Sequence, residues 1–349
     1  MKKRIFWVIA ALAASLATAP AHAKDLSGAG GTAIYPVLSQ WAYTYQKATG
    51  TVVNYQDIGS GGINQIQAKT VDFANSDKPL KPDDLTLMNV AQFPMVIISI
   101  TPIVNLPGIK PGEMTLDGKT LADIYLGKIT SWDSAEIKRL NPAVKLPHTA
   151  ITTVHRSDGS GTTFNFTNYL GKVSPEWKQK VGDDVSVEWP NGIGGKGNAG
   201  VATSVRQVVG SIGYVEYAYV MENKLTYTMM KNKAGKTIEP TMDSFSAAAA
   251  NADFSKVQDF YLILTDQPGD KSWPITAATY MLMRKDYPAD QNEPVLKFLD
   301  WCLKNGQDQA KALDYVPLPP SVVQQIEQSW ARDFKTQDGK PIWTPMAAH

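Results

Sequence analysis

Residues 156–164 read RSDGSGTTF. An arginine, an aspartate, several hydroxyl side chains and two glycines stand there just ahead of Phe164, Phe166 and Tyr169. Upstream, AITTVHR (150–156) is rich in β-branched residues and predicts a strand. Downstream, the spacing predicts a helix over 161–170. A strand, a glycine- and hydroxyl-bearing turn and a helix start form the repeating unit of an α/β fold.

The same design recurs in SGAGGTAIYP (27–36) and IGSGGINQI (58–66). Further strands are predicted at 51–59, 71–76, 95–104 and 211–220, and helices at 34–49, 62–69, 120–126, 134–140, 200–208, 294–304 and 320–333. In the first helix Ile34, Val37, Leu38, Trp41, Tyr45 and Ala48 share a face, Pro36 suits the first turn and Gly50 the position beyond the end. The alternation implies α/β architecture with largely parallel sheets. PNGIGGKGNAG (190–200) is glycine-dense and is placed in a loop near the cleft or surface. The length exceeds what one small core needs and suggests two lobes; no linker composition divides them, so the chain is expected to cross more than once, with 95–104 as the crossing strand.

Each of the three turns can serve as an anion site. Glycine permits close approach of the backbone, and the first-turn N–H groups of a helix lack internal acceptors and carry the positive end of the helix dipole. Ser60, Ser160 and Thr32 are equally well suited to be ordinary helix caps. Arg156 offers a planar fork of donors for a tetrahedral oxyanion, with Asp158 placed to orient it; the bland alternative is a surface ion pair. Asp77, in FANSDKPL (73–80), either starts a turn or accepts a hydrogen bond from an oxyanion that keeps a proton at neutral pH. Phosphate keeps one and sulfate does not.

Other functions find less support. Residues 1–23 have the form of a secretory signal: MKKR, an apolar stretch, then Ala21-His22-Ala23. Its removal would leave 31 basic against 33 acidic residues, which gives no footprint for nucleic acid or an anionic membrane surface. Cys302 cannot close an internal disulfide alone and reads as a buried thiol in a core helix. His148, His155 and His349 are scattered, so no metal-ligand spacing arises and a dinuclear phosphatase is disfavoured. GAGGTA (28–33) fits a loose dinucleotide pattern with Asp57 after the next strand, but export argues against it; 113–120 lacks the first glycine of a P-loop.

Together GAGGT, NYQDIGSGG, TVDFANSD, TLADIYLGKITSWD, HRSDGSGTTF, WPNGIGGKGNAG and SIGYVEYAY resemble, in order and over nearly the whole chain after the signal, the periplasmic phosphate-binding proteins of the high-affinity phosphate ABC transporter, the PstS family. The resemblance implies a type II periplasmic binding fold of two α/β lobes with mixed sheets and crossing hinge strands, with lobe 1 in 24–101 plus 278–349 and lobe 2 in 102–277. It implies inorganic phosphate held by Thr32, Ala33, Ser60 and Asp77 from one lobe and Arg156, Ser160, Gly161 and Thr162 from the other, with Asp158 paired to Arg156. It further implies a periplasmic, monomeric, non-enzymatic receptor that serves an inner-membrane ABC permease, needs no metal or cofactor and binds no nucleic acid. A phosphate-ester hydrolase, a receptor for another oxyanion and a scaffold role are the alternatives. Two departures stand out: Thr32-Ala33-Ile34 replaces the usual Thr-Phe-Pro, which keeps a backbone donor but loosens packing over the anion, and GSGG (59–62) is one residue shorter than GSSGG.

Overall fold

The computed structural model describes residues 25–344; the expected signal peptide and the last residues of the C-terminal tail lie outside that range. One ten-stranded mixed sheet dominates. In spatial order it runs Val53–Gln56, Leu26–Gly30, Phe73–Ser76, Thr276–Arg284, Val90–Val104, Ser211–Glu216, Thr152–Arg156 and Ile193–Gly195, and the short strands Thr226–Tyr227 and Val316–Pro317 also pair with the long Val90–Val104. The outer strands pair in parallel, while both neighbours of Val90–Val104 run antiparallel to it.

That long strand organises the fold. All 15 of its residues are buried, so its near-continuous apolar composition carries no alternation. It pairs with Thr276–Arg284 as far as Ser99, then with Ser211–Glu216 from Ile100 onward. One strand therefore belongs to both halves of the sheet, as the sequence suggested for 95–104. The register slips between Thr279 and Tyr280, which face Val96 and Pro94 and leave Met95 as the extra residue. Pro94 has no N–H for the ladder, which is where a bulge belongs; the bulge also re-aims the side chains opposite it.

Helices cover both faces. Tyr35–Thr49 carries Pro36 in its first turn and stops at Gly50, which adopts φ +81°, and it buries Val37, Leu38, Trp41 and Tyr45. Cys302 is buried in Ala289–Asn305, and burial pushes its thiol well above the ordinary range, in keeping with an inert core residue.

Two expectations fail. The run 211–220 is not one strand: it ends at Glu216, whose carboxylate accepts from the Ala218 N–H at 2.8 Å and starts the helix Tyr217–Glu222. The stretch 190–200 is not a loop throughout, since Ile193–Gly195 pairs in parallel with Val154–Arg156 and the helix Gly197–Gln207 follows at once. Its glycines serve backbone approach: Gly197 lies at φ +67°, and a Cβ on Gly195 would meet the Gly200 and Val201 backbone.

Candidate functional site

The strands Leu26–Gly30 and Phe73–Ser76, which pair in parallel, and Thr152–Arg156, from the other half of the sheet, each hand over to a turn that carries an expected site residue. Gly31, Thr32 and Ala33 lead into the helix Tyr35–Thr49; Ser60 precedes Gly61–Gln67; Asp77 follows Phe73–Ser76; Arg156 closes its strand and Ser160 precedes Gly161–Val173. Contacts between these turns show that they converge. A Cβ on Gly31 would stand 3.2 Å from both Asp77 carboxylate oxygens, and one on Gly161 would stand 2.6 Å from Asp77 Cβ. The Ser60 N–H donates to the Gly159 carbonyl at 2.8 Å, and Gly59, at φ +61°, leaves room beside Arg156 Nη2. These contacts bring the turns that carry Thr32, Ser60, Asp77, Arg156 with Asp158, and Ser160 with Gly161 against one another.

Arg156 is nearly fully buried and makes a two-pronged ion pair with Asp158, Nε to Oδ1 at 2.7 Å and Nη2 to Oδ2 at 2.5 Å. An exposed pair is therefore not what the fold contains. Burial pushes the Asp158 carboxyl up, but the Arg156 fork and the Gly197 N–H outweigh it and leave the carboxyl below its usual range. The remaining guanidinium nitrogen, Nη1, is buried with no hydrogen-bond partner among the described residues, and so is Ser60 Oγ. Such orphaned donors imply an acceptor that the protein itself does not supply.

The capping alternative divides the three hydroxyls. Ser160 accepts from the Thr163 N–H at 3.1 Å and is a true helix cap, with its own proton still free to donate. Ser60 stands at a helix start yet makes no capping bond, and Thr32 lies ahead of the position that begins its helix. Ala33 and Ile34 are fully buried, and the Ala33 carbonyl accepts from Tyr315 Oη at 2.6 Å.

Asp77 lies close enough to feel the Arg156 charge, while the Arg156 ion pair is made with Asp158. Thr279 Oγ1, beside the bulge, donates to its Oδ1 at 2.7 Å, and Asn165 Nδ2 holds its backbone carbonyl at 2.8 Å. Burial pushes Asp77 up to about 6, against the lowering effect of the Thr279 hydrogen bond and the Arg156 charge. The cradle can thus surround a tetrahedral anion with donors and one acceptor.

Sequence reasoning missed four supports: Thr279, Asn165, Asn198 and Glu216. Asn198 follows the glycine run quoted above and donates through Nδ2 to Thr32 Oγ1 at 2.8 Å. Glu216 is fully buried, and burial pushes its carboxyl well above the ordinary range. No sequence signal marks Thr279, because a threonine inside a buried strand is ordinary. Among the described residues no group of histidine, cysteine or carboxylates could hold a metal ion.

Comparison with known proteins agrees in kind. A family model described as "PBP superfamily domain" matches residues 16–305. The phosphate-binding protein PstS of Xylella fastidiosa (strain Temecula1) is 55% identical over 312 residues, spanning 89% of this chain and 86% of that protein. That of Haemophilus influenzae is 49% identical over 339 residues, 96% of this chain and 100% of its own. Among solved structures, a high-affinity periplasmic phosphate-binding protein with bound phosphate superposes with a TM-score of 0.70 at 20% identity, covering 93% of this chain and 100% of that one. A putative phosphate ABC transporter substrate-binding protein from Clostridium perfringens gives 0.63 at 19%, covering 85% and 100%. At such identities the structural likeness speaks for the fold.

Proposed function

The chain belongs to the PBP superfamily and, within it, to the phosphate-binding PstS family, and from that premise we propose that it captures inorganic phosphate in the cradle between the two halves of its sheet and delivers it to an inner-membrane ABC permease. The observation that carries this reading is the pairing of opposites in one buried place: unpartnered donors at Arg156 Nη1 and Ser60 Oγ beside the Asp77 acceptor. A bare oxyanion uses the donors and is repelled by the carboxylate. An oxyanion that carries a proton uses both.

The receptor acts as a monomer in the periplasm. No helix among the described residues is long and apolar enough to cross a membrane. Its lobes are 24–101 plus 278–349 and 102–277, joined where Val90–Val104 changes partners; the switch from Ser99 to Ile100 supports the first boundary. Phosphate enters a dry site, where an ion is tolerated only when thoroughly hydrogen-bonded, so donors from both lobes are needed and the ligand favours the closed form.

Titration calorimetry on phosphate-free protein near neutral pH is the test: phosphate binds, sulfate does not compete, and a chromogenic phosphate ester is not turned over with or without divalent metal. Equal affinity for sulfate, or no phosphate binding, overturns the reading. A second expectation follows from packing. Gly161→Ala sets a Cβ 2.8 Å from the Asp77 backbone nitrogen, which neither backbone can yield cheaply. Phosphate affinity should fall about tenfold, with the unliganded melting temperature little changed, because the clash arises only where the two turns close on each other.

A further inference from the structure

Thr32 Oγ1 accepts two hydrogen bonds, one from Asn198 Nδ2 at 2.8 Å and one from the Asn198 N–H at 3.3 Å. A hydroxyl has two acceptor lone pairs and one proton, so both of its acceptor sites are taken and only its proton remains to be given away. Among the described residues the proton has no acceptor: both bonds at this oxygen arrive from Asn198. The Thr32 carbonyl is separately held by Tyr219 Oη at 2.8 Å.

The direction of the Asn198 amide is itself determined. Its Oδ1 accepts from the backbone N–H of Glu216 at 2.9 Å, and a backbone N–H can only donate. Nδ2 must therefore face Thr32. Gly197, at φ +67°, makes the turn that presents Asn198, and its own N–H donates to Asp158 Oδ1 at 3.0 Å. One short segment thus touches the partner of Arg156, the Thr32 hydroxyl and the strand Ser211–Glu216. Asn198 Nδ2 is also 3.5 Å from Thr162 Oγ1, the outer limit of such a bond, so Thr32 is the hydroxyl it governs.

Resting on the phosphate reading above, we infer that Asn198 is the positioning residue that turns the Thr32 hydroxyl into an obligate donor toward the bound anion. An unrestrained threonine hydroxyl can rotate and present either a lone pair or a proton. Here the asparagine removes that choice before the anion arrives, and the donor is pre-organised rather than recruited. The same bonds join the turn that follows Leu26–Gly30 to the helix Gly197–Gln207, so the hydroxyl is polarised only when these two elements are together.

The competing account makes Asn198 a structural tie between its helix and the strand Ser211–Glu216. Asn198→Asp separates the two, because it keeps an acceptor for the Glu216 N–H and the same shape but replaces the amide donor with an acceptor. The Thr32 proton would then be drawn to residue 198. Calorimetric titration with inorganic phosphate should show about a twentyfold loss for Asn198→Asp in the parent and about fivefold or less in a Thr32→Val background, since only the added charge then acts. Thr32→Ser, which keeps the hydroxyl, should restore the full sensitivity to Asn198→Asp. If Asn198→Asp does not fold, as read by its melting curve, Asn198→Ala goes through the same cycle, with a smaller loss that again needs the Thr32 hydroxyl. Equal losses in the parent and in the Thr32→Val background overturn this inference alone, whereas failure of the parent itself to bind phosphate overturns the receptor reading.

Discussion

Arg156→Ala should lower phosphate affinity about a thousandfold in titration calorimetry, and Arg156→Lys about a hundredfold. The alanine variant removes the buried Arg156 cation of the cradle while leaving Asp77 and Asp158 in place, so one buried and one half-buried carboxylate would face an incoming anion with no countercharge. Lysine keeps the charge but not the geometry. The guanidinium divides its work: Nε and Nη2 engage Asp158, and Nη1 stays unpaired. An ammonium group cannot hold that division, and contact with Asp158 would draw it away from the anion. Asp158→Asn is the useful control. It keeps the shape beside Arg156, removes a negative charge near the guest and forfeits part of the clamp, so its two effects oppose and the change in affinity should stay within about tenfold. A similar, small loss for all three variants would mean that Arg156 is structural.

How much of this could be read from residues alone depended on punctuation. The helix Tyr35–Thr49 was legible because Pro36 and Gly50 bracket a clear helical stripe. Thr276–Arg284 was not, although it is central to the sheet: buried on both faces, TAATYMLMR shows no alternation for a strand reading to follow. The run 211–220 misled because its aromatic and β-branched composition continues unchanged while a single carboxylate, Glu216, ends the strand by capping a helix. In 190–200 the glycines read as irregular backbone, whereas they let a strand and a helix lie against each other. The cradle itself was more visible than the fold around it, since anion contacts draw on a few residue types at helix starts. Its supports were invisible, because Thr279 and Asn198 act through side-chain bonds to residues 202 and 166 positions away.

Asp77→Asn should lower the preference for phosphate over sulfate about a hundredfold, mostly through a gain in sulfate affinity. The carboxylate is an acceptor that a proton-bearing guest can satisfy and a fully ionised one cannot, whereas the asparagine amide can donate. Acid should do to the parent what asparagine does. Asp77 lies at about 6 through burial, so below that pH it carries its own proton and offers a donor to sulfate. Competition by sulfate should therefore appear in the parent as pH falls through 6 and be nearly independent of pH in the variant. The same shift has a stability counterpart. Its folded value is raised above the ordinary 3.8, so between about pH 4 and 6 the unfolded chain holds fewer protons, and the phosphate-free protein loses up to roughly 3 kcal/mol as pH rises across that window. Glu216 is raised for the same reason and adds to the loss, so the difference between parent and variant is the informative quantity. Thermal melts of both without phosphate should show the variant gaining on the parent from pH 4 to 6 and holding its lead above. If instead the two melting profiles run parallel and sulfate is still rejected by Asp77→Asn, Asp77 is only a turn residue, and selection must reside in the donors.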